Sequence, residues 1–324
     1  MSAEQPTNIS VIDPISPAIE RVKIILFKPF DLGKWFVIGF CAWLAHLGQG
    51  GGGGGPNFRT GGDLGQGLQE AREFFLHNLH WIVPLVVVGV ALAIGLWLLF
   101  TWLSSRGRFM FLHCVAQNKA EVRVPWTKFR QHGNSLFLFR LVLSLIAFAA
   151  IGLPCIIIVL LIAALATGKV PYVGPVLGLV MTGLLILAIA VVLWLVKRFT
   201  TDFVVPTMFL RTPSCTAAWR EFLRLLSANK GRFTLYILFQ IVIAIVLGII
   251  GATVACLFSC LFVVLTCGIG CLMIILPPFC VGFGYLVTVL LLPLAVFRRA
   301  YSLHYFRQYG PQFDVFIVEG EAAG

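Results

Sequence analysis

The sequence predicts an all-α fold: a polytopic membrane helical bundle of about six transmembrane helices, laid out as three hairpins with cytoplasmic amphipathic helices. Three observations predict it. Of 324 residues, 59% are hydrophobic and only 11% charged, with a mean hydropathy of +0.96; soluble domains carry roughly 25% charged residues. Six apolar runs approach the ~20 residues needed to cross a bilayer as a helix. The basic residues fall on one side of those runs, as the positive-inside rule requires.

The N-terminal segment, 1–30, is polar, holds prolines, and lacks the apolar centre of a signal peptide. It is expected to stay in the cytoplasm. The runs are 31–48, 81–104, 136–165, 172–196, 233–262 and 273–297. The first is the weakest: its apolar part, Trp35–Leu47, is short and is preceded by Asp31 and Lys34. A re-entrant or interfacial helix is the rival reading there.

Charge tests this layout. Segments 1–34, 105–140, 197–232 and 298–324 hold 21 of the 24 Lys and Arg residues, and Arg59, Arg72 and Lys169 are the remainder. Both termini are therefore expected in the cytoplasm. The whole chain, 1–324, reads as a single membrane domain with cytoplasmic segments at 105–135 and 197–232 and a cytoplasmic tail at 298–324. Residues 49–79 form an external loop that contains six consecutive glycines, Gly50–Gly55. With no Gly-Lys-Ser/Thr in the chain, that run is a flexible tether and not a phosphate loop. The net charge of +11 is explained by the bilayer side preference, so no nucleic-acid partner is expected.

An internal pattern recurs about every 90 residues. Trp126 and Phe129 in 124–146 match Trp219 and Phe222 in 216–246, each pair at i, i+3 and each followed by a basic segment and an aromatic-led span. Residues 26–45 form a looser first copy. Aromatic rings favour headgroup depth while Lys and Arg reach toward anionic lipid phosphates. The candidate lipid-contacting residues are thus Arg123, Lys128, Arg130, Arg220, Arg224, Lys230 and Arg232, with Trp126 and Trp219 setting depth.

Inside the bundle, Ala244, Gly248, Ala252, Cys256 and Cys260 recur every four residues and Gly174 and Gly178 form a GxxxG, spacings that favour close helix approach. Pro154 and Pro293 are expected to kink their spans. Arg140, Asp202 and Gln240 are the candidate polar site within the bundle: Arg140 snorkels or pairs with Asp202, and Gln240 reads as interhelical glue. No carboxylate lies in a span core, which argues against a proton-coupled carrier and an aspartyl intramembrane protease. No catalytic triad or HExxH pattern occurs, so no enzyme activity and no cofactor are expected. His46, His77 and His80 are weak metal candidates on the external side; the cysteines from Cys256 to Cys280 lack accompanying histidines and read mainly as small packing residues.

The tail VFRRAYSLHYFRQYGPQFDVF (296–316), with DFVVPTMFLR and the following AWREFLRLL, resembles uncharacterised prokaryotic multi-pass membrane proteins, loosely similar to the membrane domain of glycerophosphoryl diester phosphodiesterases. The resemblance covers residues 120–316. It implies a protein of the prokaryotic cytoplasmic (inner) membrane and transfers no catalytic residue, since no soluble phosphodiesterase domain is present.

The function expected from these readings is a non-enzymatic integral membrane protein acting through anionic lipid, a protein partner or a second copy of itself. One alternative is a channel or carrier for a neutral or hydrophobic solute. Another is a membrane enzyme or metal protein using the external histidines.

Overall fold

A computed structural model describes residues 9–47, 79–167, 171–211, 214–265 and 277–316. The glycine run, Arg59, Arg72, His77, Lys169, Cys267 and Cys271 lie outside the described residues, as does the side chain of Cys280. Regular structure among the described residues is entirely helical. In chain order the helices are α1 (Ile15–Leu26), α2 (Leu32–His46), α3 (Leu79–Gln117), α4 (Arg123–Lys128), α5 (Arg130–Ala166), α6 (Val173–Phe199), α7 (Val205–Leu210), α8 (Cys215–Ala228), α9 (Lys230–Leu265), α10 (Pro277–Leu290) and α11 (Leu292–Arg307). A π-helical turn, Thr200–Val204, joins α6 to α7, and a 3-10 turn, Pro311–Phe313, follows α11.

Four stretches are long and apolar enough to cross a membrane: His80–Gln117, Arg130–Ala166, Val173–Leu210 and Lys230–Phe262. At most 6% of their most apolar windows is buried within the chain. Helices apolar on every face and uncovered by protein suit a lipid solvent. A fifth candidate is α10 with α11, bent by 63°. The bend falls at Leu291, just before Pro293, which has no amide hydrogen to continue the α10 ladder. Helix α5, by contrast, runs without a break through Pro154.

The expected first span, 31–48, is the exception. Helix α2 has only 15 residues, about 22 Å at 1.5 Å per residue, against a hydrocarbon core of ~30 Å. Its start is fixed by the Asp31 carboxylate, which accepts from Gly33 N at 2.8 Å. It runs antiparallel to the C-terminal half of α3: Lys34 Nζ donates to Asn118 Oδ1 at 2.8 Å, and Ser104 Oγ donates to the Ala45 carbonyl at 2.8 Å. Gly107 makes this contact possible, since a Cβ there would lie 2.6 Å from Ala45 N and 2.7 Å from Leu44 C.

The buried core gathers at one end of the long helices. Phe203 stacks on Phe222 at 5.1 Å and meets Phe233, Tyr236 and Phe306 at 5.0–5.4 Å. Tyr236 stacks on Tyr305 at 4.4 Å. This aromatic base draws on the π-turn, α8, the start of α9, and α11. The N-terminal segment joins it: Ser10 exchanges two hydrogen bonds with the Gln308 side chain at 2.8 and 2.9 Å, and Tyr301 donates to the Val11 carbonyl at 2.8 Å. Residues 10–11 and 301–308 therefore occupy the same end of the bundle. The short-helix, long-helix units seen in the sequence recur as α4–α5 and α8–α9, broken at Phe129 and Asn229. Their matched Phe129 and Phe222 are both buried.

Cys215, at the start of α8, is 1% exposed, and burial pushes its thiol up to about 12. The thiolate is the reacting form. A charged maleimide applied to the folded chain at pH about 8, below that value, is expected to spare Cys215 and to label it after denaturation; mass spectrometry of the adducts checks this.

Candidate functional site

Above the aromatic base the long helices enclose a cavity of about 990 Å³. One end is cationic. Arg108 of α3, Arg140 of α5, Lys197 and Arg198 of α6, and Arg298 and Arg299 of α11 line it, with Asp202 as the single acid. Part of the wall is apolar and small, Ala244, Gly248, Gly251 and Ala252 of α9 with Ala295, and it is joined by larger side chains such as Trp97, Phe139 and Trp194 and by the hydroxyls of Thr101, Ser144 and Thr288.

Asp202 anchors a closed polar ring. It sits in the π-turn, 4% exposed. Arg198 Nε lies 2.7 Å from its Oδ2, and Tyr236 donates its hydroxyl proton to the same oxygen at 3.0 Å. Gln240 Nε2 donates to Tyr236 Oη at 2.8 Å, and Arg198 Nη2 donates to Gln240 Oε1. Each member is held by two others, which fixes the geometry of a buried charge pair.

The remaining cations are arranged around Thr201. Arg108 Nη1 donates to Thr201 Oγ1 at 3.0 Å, and Arg299 Nη1 donates to the Thr201 carbonyl at 2.6 Å. Arg299 is 7% exposed, and its Nε and Nη2 have no hydrogen-bond partner in the chain. Buried polar atoms are paired in more than nine cases of ten. Two donors thus remain unpaired on a guanidinium whose residue borders the cavity.

The three residues of the expected polar site separate into two groups. Asp202 and Gln240 share the ring, but Arg140 does not pair with Asp202. Its Nη1 instead donates to Ser105 Oγ at 3.0 Å, Ser104 Oγ at 3.2 Å and the Thr101 carbonyl at 3.4 Å. The adjacent hydroxyls of Ser104 and Ser105, with the Thr101 carbonyl one turn back on α3, supply its acceptors, while Arg198 holds the carboxylate. The small-residue stripe on α9 also behaves otherwise than expected. Nothing lies within 4 Å of a Cβ added at Gly248, so the stripe widens the cavity and does not seat a helix there. Gly178 does serve close packing: a Cβ added there would lie 3.0 Å from Leu161 Cδ1 of α5.

The surface residues occupy the polar end. Arg123, Lys128, Arg130, Arg220, Arg224 and Lys230 are exposed, and Arg232 is half-buried. Trp126 packs on Arg106, whose guanidinium lies 4.8 Å from its ring and 4.3 Å from that of Trp102, a cation–π contact with each of two perpendicular indoles. Trp219 packs between Phe139 and Phe222 at 5.9 and 5.7 Å. With Arg220, Leu223 and Arg224 it lines a groove of about 510 Å³ along α8.

His46 is held by its own helix, Nδ1 to the Ala42 carbonyl at 2.7 Å. Ala45 meets Ser104, 24 residues along α3 from the exposed His80, about 36 Å of helix. The two imidazoles cannot share an ion. Among the described residues no group of three or more His, Cys, Asp or Glu is placed to hold a metal. Cys256 and Cys260 are free, exposed thiols.

Sequence reasoning missed Arg108, Arg198, Arg298, Arg299, Thr201 and Tyr236 as site residues. One signal was available: Arg198 and Asp202 have opposite charge at i, i+4 on one helix face. The arginines at the span exits read simply as interfacial.

An all-α chain with four or five long apolar helices above a packed aromatic base fits the class of integral membrane proteins. The chain belongs to a family of unknown function, DUF7544, whose model matches residues 9–316. No curated protein and no solved structure matches it, and no comparison links it to the glycerophosphoryl diester phosphodiesterases.

Proposed function

We propose that this chain is a non-enzymatic, multi-pass protein of a prokaryotic cytoplasmic membrane that acts through anionic lipid at its cytoplasmic surface. The observation that carries the reading is the set of seven basic residues on α4, α8 and the starts of α5 and α9. Six of them are exposed, and two border the Trp219 groove. Each Lys or Arg near an anionic bilayer surface contributes about 1 kcal/mol. Both termini on the cytoplasmic side agree with the charge split and with the contact of Ser10 with Gln308. Same-side termini need an even number of crossings. Six crossings in three hairpins meet this if α2 and the α10–α11 pair each complete one.

The test replaces Arg123, Lys128, Arg130, Arg220, Arg224, Lys230 and Arg232 together with glutamine. Co-purified lipid from the variant is expected to be depleted in phosphatidylglycerol relative to wild type, or cysteine-accessibility mapping to show a disturbed topology. Unchanged lipid composition and unchanged topology would sink the assignment.

A second reading, a carrier, is favoured by the central cavity. Six cations against one acid suit an anionic solute better than a neutral one.

A further inference from the structure

We infer that the central cavity is a binding site for a phosphate-type oxyanion, with the Arg299 guanidinium as its principal donor. The site is distinct from the surface residues that carry the proposed function. Four observations lead to it.

The first is the pair of unpartnered donors. Arg299 is 93% buried, yet Nε and Nη2 bond to nothing in the chain. The Nε–Nη2 edge of a guanidinium is a two-pronged donor that fits two oxygens of one phosphate or carboxylate. The second is excess charge. The cations at this end outnumber the acids six to one, and Asp202 is already held by Arg198 and Tyr236. An excess of positive charge around one cavity attracts an anion from outside the chain. The third is convergence. Arg108 and Arg299 both bond to Thr201, one at its hydroxyl and one at its carbonyl. This places two guanidiniums from different helices beside one residue, and phosphate, with more acceptor oxygens than carboxylate, matches such a group better. The fourth is the small-residue wall of α9. Ala244, Gly248, Gly251 and Ala252 leave an apolar space beside the cations, which suits a hydrocarbon chain attached to the phosphate. The oxyanion therefore has two sources, a phospholipid headgroup or a free phosphate, and the wall favours the lipid.

The experiment uses the full chain in nanodiscs of phosphatidylcholine doped with phosphatidylglycerol. Native mass spectrometry after detergent release counts the lipid kept by each chain, and a parallel sample in pure phosphatidylcholine is dialysed against labelled inorganic phosphate. Two single variants are compared with wild type. Arg299→Gln removes the donor pair. Gly248→Leu fills the apolar space where an added Cβ meets nothing within 4 Å. The wild-type chain is expected to keep one phosphatidylglycerol. Arg299→Gln should bind it about tenfold more weakly or worse, the loss of a hydrogen bond to a charged group. Gly248→Leu should lose the lipid by exclusion. If the source is free phosphate, Arg299→Gln loses it while Gly248→Leu keeps it.

The inference is overturned if wild type holds neither lipid nor phosphate. It is equally overturned if Arg299→Gln holds as much as wild type. Should Arg299→Gln fail to fold, Gly248→Leu decides: retention of phosphatidylglycerol equal to wild type, with no phosphate bound by wild type, overturns the site. The seven-glutamine surface variant separates the two readings. It keeps the cavity lipid whether or not the surface assignment holds, because none of its changes lines the cavity, so failure of the surface reading leaves this inference untouched.

Discussion

Replacing Asp202 with alanine is expected to be among the most destabilising single changes in the chain. The carboxylate is 4% exposed and is the single acid among six cations around the cavity. Its loss strands Arg198, whose side chain is 9% exposed, and removes the acceptor for Tyr236. Breaking one partner from a buried ion pair costs about 3–5 kcal/mol. Asp202→Asn keeps the shape and an acceptor for the tyrosine, so it isolates the loss of charge. Thermal unfolding of the purified chain, followed by tryptophan fluorescence, should rank wild type above Asp202→Asn and Asp202→Ala. An alanine variant as stable as wild type would mean that water, and not Asp202, neutralises Arg198.

Gly107→Ala is expected to have the second largest effect. The new Cβ meets backbone atoms of Leu44 and Ala45 at 2.6 and 2.7 Å, and backbone cannot rotate away as a side chain can. Overpacking costs about 1–3 kcal/mol, occasionally more, and here α2 must separate from α3. Gly95→Ala supplies the control on the same helix. Nothing lies within 4 Å of its added Cβ, so it is expected to be neutral or to gain up to about 1 kcal/mol from helix propensity. Equal melting temperatures for the two variants would show that α2 does not sit against Gly107.

Much of the architecture was legible because it follows from composition along short stretches. The long apolar runs appear as long helices, the weakness of Trp35–Leu47 appears as the 15-residue α2, and Pro293 marks a real bend. The half-length of α2 was also readable as a count of residues, but its antiparallel seat on α3 depends on Gly107, a position unremarkable in the sequence. The site was less accessible. Asp202 and Gln240 stood out as polar residues near apolar ground. Their connection runs through Tyr236, which reads as an ordinary interfacial aromatic, and through a π-turn that no local pattern announces. Arg299 was hidden for a different reason. An arginine pair just past a span has a sufficient explanation in snorkelling, so burial of the second one against Thr201 becomes visible only once α11 has folded back over the π-turn.

The clasp between the chain's two ends has a consequence for biosynthesis. Tyr301, Tyr305 and Phe306 lie in the last long helix made, and Phe203, Phe233, Tyr236 and the Val11 carbonyl wait for them. The four long apolar helices leave the ribosome before α11 exists. Membrane insertion must therefore precede closure of the aromatic base, and a nascent chain stalled short of residue 301 carries its future core uncovered. Quality control that reads an uncovered Phe203–Phe233–Tyr236 base would tell unfinished copies from finished ones.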